Sequence, residues 1–176
     1  MSHPRRRARI LAMQALAQWD VQKGDFLIPG READAPGLDD RKGPLPHGRG
    51  SDLVDELKEL YEITCLEPES KGQRTDSGAV VDYARAVIEA YRERRQSVDD
   101  RIAAAAEHWE LSRMSPVDRN AMRVAVAEML LGETPAKVAM DEAIEIAREY
   151  GGEESPRFVN GVLDLVYQRL SGSPKD

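Results

Sequence analysis

Three hydroxyl-proline pairs, Ser115-Pro116, Thr134-Pro135 and Ser155-Pro156, constrain this chain more than any other feature. Each offers a hydroxyl able to cap a helix, followed by a proline at the first helical position, where its missing N–H costs nothing. The stops match the starts: Gly132 follows Leu131, and Gly151-Gly152 follows Tyr150, each placed where a left-handed residue ends a helix. Helices are therefore predicted near 116–131, 135–150 and 156–170. Their short connections force consecutive helices to fold back on one another. No convincing strand alternation occurs elsewhere, so the fold class is all-α with about seven helices.

The N-terminal part is read by periodicity. Residues 4 to 20, PRRRARILAMQALAQWD, form a helix with Ile10, Met13, Leu16, Ala17 and Trp19 on an apolar side behind a basic leading turn. From Gln22 to Asp52 the pattern collapses into a stretch of 31 residues with six glycines and four prolines. Such a composition buries too little apolar surface to offset chain entropy, so 22–52 reads as a flexible insert within a single domain, 1–176. Asp52 can cap a helix through about Cys65, with Leu53, Leu57, Leu60, Tyr61 and Ile63 inward. Two more helices follow. One runs from about Ala79 to Arg95 on Val80, Tyr83, Val87 and Tyr91, the other from Val98 to about Trp109 on Ile102, Ala105 and Trp109.

Within the last helix lies Asn160-Gly161, a dipeptide suited to a hairpin turn. Phe158, Val159, Val162, Leu163 and Val166 nevertheless form a stripe at helical spacing, which decides for a helix. A glycine there costs about 1 kcal/mol relative to alanine, so close approach of a neighbouring backbone is the expected return.

Chemistry is scarce. His3, His47 and His108 are scattered without a partner at metal-binding spacing, and Cys65, the only cysteine, lacks a nucleophile signature. Phosphate-loop, dinucleotide and nucleophile-elbow motifs are missing, so no enzyme, cofactor or metal is expected. Glu142, Glu145 and Glu149 read as a solvated face salted with Lys137 and Arg148. With no apolar run of membrane length and one cysteine, a cytoplasmic, membrane-free protein is expected.

The run of Arg5, Arg6, Arg7 and Arg9 stands out in a chain of net charge −7. Arginines at a helix N-terminus oppose the helix dipole. Phosphate contact through guanidinium forks would explain them; a solubilising arm or paired surface charge would too. Arg92, Arg94 and Arg95 sit at a helix C-terminus, where cations suit the dipole.

PAKVAMDEAIEIAREYGGEESPRFVNGVLD at 135–164, SPVDRNAMRVAVAEML at 115–130, and RRRAR followed by QAL at 14–16 together resemble the NusB family of transcription antitermination factors. The resemblance covers residues 4 to 20 and about 79 to 170 and leaves the insert unmatched. It implies two three-helix bundles packed across each other, with Asn160-Gly161 at their tight contacts. It implies binding of boxA RNA together with NusE, a small-subunit ribosomal protein, inside an RNA polymerase antitermination complex serving ribosomal RNA operons. By position, Arg5, Arg6, Arg7 and Arg9 match RNA-binding arginines. Phe158 lies beside that surface, as a base-stacking or a core residue, and Glu154 matches an acidic position that modulates RNA affinity. Asp118, which can equally cap its helix, and Arg123, which can equally form an ion pair, match partner-contact positions. Ala17 stands where many members carry a partner-binding tyrosine, and Asp141 replaces an asparagine. Other readings are an accessory domain like that of ribosomal RNA cytosine methyltransferases, or a helical interaction module without RNA affinity. Some members of the family are homodimers, and the sequence leaves the self-association state open.

Overall fold

The computed structural model describes residues 4–22, 55, 57–61, 77–107 and 109–172. His3, His47, His108, Cys65 and the insert beyond Gln22 lie outside them. Helix α1 spans Pro4–Gln22, so the first residue of the expected insert is helical. Helical residues 57–61 form α2. Then follow α3 at Ser77–Glu93, α4 at Arg95–Ala105, a 3-10 turn at Leu111–Arg113, α5 at Pro116–Leu131, α6 at Ala136–Tyr150 and α7 at Ser155–Ser171. Among the described residues there is no strand.

Helix α5 is the axis. Every residue from Asp118 to Glu128 is buried, because α1, α3, α4, α6 and α7 all pack against it. A helix enclosed on all sides has no solvated face. Its small residues Ala121, Ala125 and Ala127 let neighbours approach, while Met122, Val124 and Val126 fill the space between. The core continues through Leu11, Leu16, Ile88, Ile102, Ile146 and Leu163, with Leu57 as the contribution of α2. This is the all-α, two-bundle arrangement the sequence implied.

Only one of the three hydroxyl-proline pairs caps as expected. Ser115 Oγ accepts the Asp118 N–H at 3.0 Å, with Pro116 beginning α5. Thr134 is instead buried, with its hydroxyl 3.0 Å from that of Tyr83, and Pro135 takes the cap position of α6 without a side-chain bond. Ser155 has moved inside α7, and its Oγ accepts the Gly152 N–H at 2.9 Å from the preceding loop. In both cases a tertiary or loop partner takes the hydroxyl in place of the helix's own N–H groups.

The stops divide similarly. Gly132 has the left-handed φ of 73° that ends α5. Gly151 is extended at φ −95° and ψ −170°, and its requirement for glycine is steric. A Cβ there would meet the Ala147 carbonyl oxygen at 2.5 Å and Ser155 Cβ at 2.6 Å. Close approach of backbone therefore occurs here, between α6 and α7. At Gly161, where the sequence placed it, an added Cβ meets nothing within 4 Å.

Helices α3 and α4 are separated by Arg94 alone, since no proline or glycine lies between Ala79 and Trp109 to break them. Helix α4 ends early, at Ala105. Trp109, expected on its inner side, lies beyond the end, where its N–H donates to the Ala106 carbonyl at 2.8 Å and 56% of the residue is exposed.

Candidate nucleic-acid and partner interface

The arginine run divides by depth around the α1 helix. Arg5 is exposed, with its guanidinium 5.2 Å from the centre of the Tyr83 ring. Arg6 is half-buried and forks onto Glu142 of α6, Nε to Oε2 at 2.9 Å and Nη2 to Oε1 at 3.2 Å. That hydrogen bond, with the charges of Glu142 and Glu149, raises the Arg6 pKa although burial opposes it. Arg7, also half-buried, donates from Nη1 to the Tyr61 hydroxyl at 3.4 Å.

Arg9 faces the core. It is 4% exposed, and its Nε donates to both oxygens of Glu128 at 3.0 and 2.9 Å. Burial alone would lower its pKa; the hydrogen bond and charge of Glu128 outweigh that and leave it raised. Glu128 also accepts a hydrogen bond from the Tyr83 hydroxyl. The run thus has three outward-lying members and one internal anchor.

A second ion cluster joins α1, α4 and α5. Asp20 accepts from Arg119 Nε at 3.0 Å, Arg119 Nη2 at 2.8 Å and Asn120 Nδ2 at 3.0 Å. Arg123 reaches Asp20 through Nη1 at 3.1 Å and takes Asp99 in a two-pronged contact at 2.8 Å for each prong. Arg119 Nη1 further donates to the carbonyls of Leu111 and Met114, fixing the 3-10 turn. Two carboxylates and two guanidinia leave the cluster neutral, which lets it lie in the core. Arg123, matched by sequence to a partner-contact position, is 1% exposed and cannot touch a partner as placed. Here it forms the ion pairs with Asp20 and Asp99.

Tyr91 closes this cluster, with its hydroxyl 3.3 Å from Asp99 and its ring 5.2 Å from the Arg123 guanidinium. Burial drives its pKa well above the ordinary tyrosine value. A raised acid pKa favours the neutral form in the folded state, so the stabilisation is complete below the unfolded pKa of about 10 and declines as pH rises beyond it. Tyr83 shifts in the same direction, first through burial. The denaturant midpoint is expected to fall between about pH 9 and pH 11. Tyr91→Phe should flatten that fall, as read by chemical denaturation at both pH values.

A groove of about 930 Å³ lies between the end of α4, the start of α5 and helix α7. It brings together three of the sequence-selected residues, Asp118, Glu154 and Phe158. Asp118 is 8% exposed, and its Oδ1 is buried with no hydrogen-bond partner among the described residues. Phe158 is half-buried and meets Trp109 edge-on, with ring centres 6.0 Å apart. Gly161 lies on the same wall, so the residue expected to admit a helix opens the groove instead. Neighbouring Asn160 is exposed. The lining carries Asp118, Glu153, Glu154 and Asp164 against Arg113 and Arg157, an acidic balance over an apolar floor. None of its lining residues comes from α1, so the arginines and the groove are distinct surfaces. Ala17 belongs to neither; it is half-buried on α1.

A model of the NusB family matches residues 47–168 of this chain. The transcription antitermination protein NusB of Solibacter usitatus is 39% identical over 166 residues, covering 94% of this chain and 90% of that protein. The chain belongs to the NusB family. Among solved structures, NusB of T. maritima is 31% identical with a TM-score of 0.61, covering 96% of this chain and 93% of that one. A crystal structure of antitermination factors NusB and NusE in complex with dsRNA shares the fold at a TM-score of 0.63 and 22% identity, covering 96% of this chain and 99% of that one.

In this NusB-family chain, sequence reasoning missed four residues that shape both surfaces. Tyr83 and Leu57 were read alike, as core, yet Tyr83 carries Arg5 on its ring and Glu128 on its hydroxyl. Glu128, within an apolar run, signalled itself only as a charge at an inward position. Glu142 was read as solvated, whereas it faces Arg6 and Arg9. Trp109 was read as core and is the exposed partner of Phe158. Among the described residues no helix is long and apolar enough to cross a membrane.

Proposed function

We propose that this chain is a transcription antitermination factor that binds boxA-type RNA together with NusE and supports transcription of ribosomal RNA operons. It acts in the cytoplasm by binding, without catalysing a reaction, as a single domain carrying the 22–52 stretch as a flexible insert. Membership of the NusB family gives the reading its frame. The single observation that carries it is the placement of Arg5, Arg6 and Arg7 on one rigid helix, set on Tyr83, Glu142 and Tyr61. Fixed, partly exposed guanidinia lose little freedom on meeting phosphate and can take its oxygens in pairs. The groove with Phe158, Glu154 and Asp118 is the second contact surface. Its apolar floor and acidic rim suit a partner protein or an unstacked base better than a phosphate backbone. NusE accordingly supplies affinity that α1 alone lacks.

Fluorescence anisotropy of a labelled boxA RNA, with and without the NusE homologue at two salt concentrations, tests this. Binding should tighten with NusE, prefer boxA over a scrambled sequence and weaken as salt rises. Arg5→Gln and Arg7→Gln should each flatten the plot of log affinity against log salt by about 0.7, the value of one phosphate contact to a single strand. Equal, weak binding of both RNAs with NusE folded and present would overturn the reading.

A further inference from the structure

The contact between Arg6 and Glu142 joins a candidate RNA ligand to an acid of the same chain. Glu142 Oε1 and Oε2 occupy Nη2 and Nε of Arg6, the edge of the guanidinium that a phosphate would take with similar geometry. The pair is only partly covered, with Arg6 30% and Glu142 21% exposed, so a ligand can reach it. Glu142 also has a second place to rest: its Oε2 is 3.7 Å from Nη1 of Arg9, which Glu128 holds fixed. A carboxylate that leaves Arg6 therefore keeps a cationic neighbour.

We propose that Glu142 is an internal competitor for phosphate, filling the Arg6 fork in the free protein and yielding it to RNA by shifting toward Arg9. This rests on the RNA-binding reading above and adds a specificity determinant to it. A lone phosphate exchanges one ion pair for another and gains little. An RNA that simultaneously engages Arg5, Arg7 or the partner protein offsets the exchange, so the competitor selects ligands with several contacts over stray phosphates. Glu149, two turns further along α6, adds negative field at Arg6 and is the control for bulk charge.

The test measures boxA and scrambled RNA binding, with NusE present, for the wild-type protein, Glu142→Gln, Glu149→Gln, Arg6→Gln and the double variant of Arg6 and Glu142. Glu142→Gln should tighten both RNAs by about twofold to fivefold at low salt, the range for releasing a partly exposed ion pair, and should reduce the preference for boxA. Glu149→Gln should give a smaller gain. In the Arg6→Gln background, removing Glu142 should give none, because no fork remains to be released. Unchanged or weaker binding by Glu142→Gln, or an equal gain without Arg6, would overturn the inference while leaving the RNA reading intact. A wild-type protein that binds neither RNA overturns that reading itself, and the inference with it. If Glu142→Gln fails to fold, Glu142→Asp keeps the charge but shortens its reach; it should tighten binding by less, and no tightening at all would count against the competitor.

Discussion

Replacing Arg123 by alanine is expected to remove about 3–5 kcal/mol of stability, the usual loss when one partner of a buried ion pair is deleted. The reason lies in what stays behind. Asp20 keeps Arg119 and Asn120, whereas among the described residues Asp99 keeps the Tyr91 hydroxyl at 3.3 Å as its side-chain hydrogen-bond donor and is itself 0% exposed. Removing Asp99 as well, in an Arg123→Ala/Asp99→Ala protein, should restore part of the loss, since the stranded charge goes with its partner. Urea denaturation of the four proteins of that cycle reads both effects. A loss below about 1 kcal/mol for Arg123→Ala would mean that the cluster is solvated as a surface pair would be. Any loss of NusE binding by this variant should follow its loss of folded protein, because the side chain lies inside α5's surroundings.

This cluster also marks the limit of what the sequence discloses. The ends of α5, α6 and α7 were legible because Ser115-Pro116, Pro135, Gly132 and the Ser155-Pro156 pair carry their signals within a few residues. The interior of α5 was not. Asp118, Arg119, Arg123 and Glu128 are charged, and charge on a helix ordinarily means solvent. The partners of Arg119, Arg123 and Glu128 lie at distant positions; Arg119 and Asp20 are 99 residues apart. No local pattern encodes such a pairing, so a helix enclosed on every side looks amphipathic on paper. Gly151 and Gly161 show the same limit from the other direction. Each is a glycine beside a helix-compatible apolar run, and only the packed structure distinguishes the one that Ala147 and Ser155 crowd from the one that faces an open groove. The groove itself assembles Trp109, Asp118, Glu154 and Phe158 from separate segments, so the sequence could name Asp118, Glu154 and Phe158 without joining them to Trp109.

The second large effect is expected at Arg9, and it separates this residue from its neighbours in the arginine run. Arg9→Gln should cost about 3 kcal/mol or more, because Glu128, 1% exposed, would lose the guanidinium that neutralises it and, among the described residues, keep the Tyr83 hydroxyl as its side-chain hydrogen-bond donor. Helix α1 would then be less firmly tied to α5, and Arg5, Arg6 and Arg7 less firmly placed. RNA affinity should fall mainly through the folded fraction: corrected for it, binding by Arg9→Gln should stay within about twofold of wild type, while Arg5→Gln loses affinity at unchanged stability. Urea titration beside anisotropy, both at the same salt, separates the two variants. If Arg9→Gln keeps its stability and loses RNA binding, Arg9 reaches phosphate directly and α1 must rotate on binding. With Arg9 held inside as the structure shows, four arginines in five residues divide into one anchor that orients the helix and three side chains that the anchor presents.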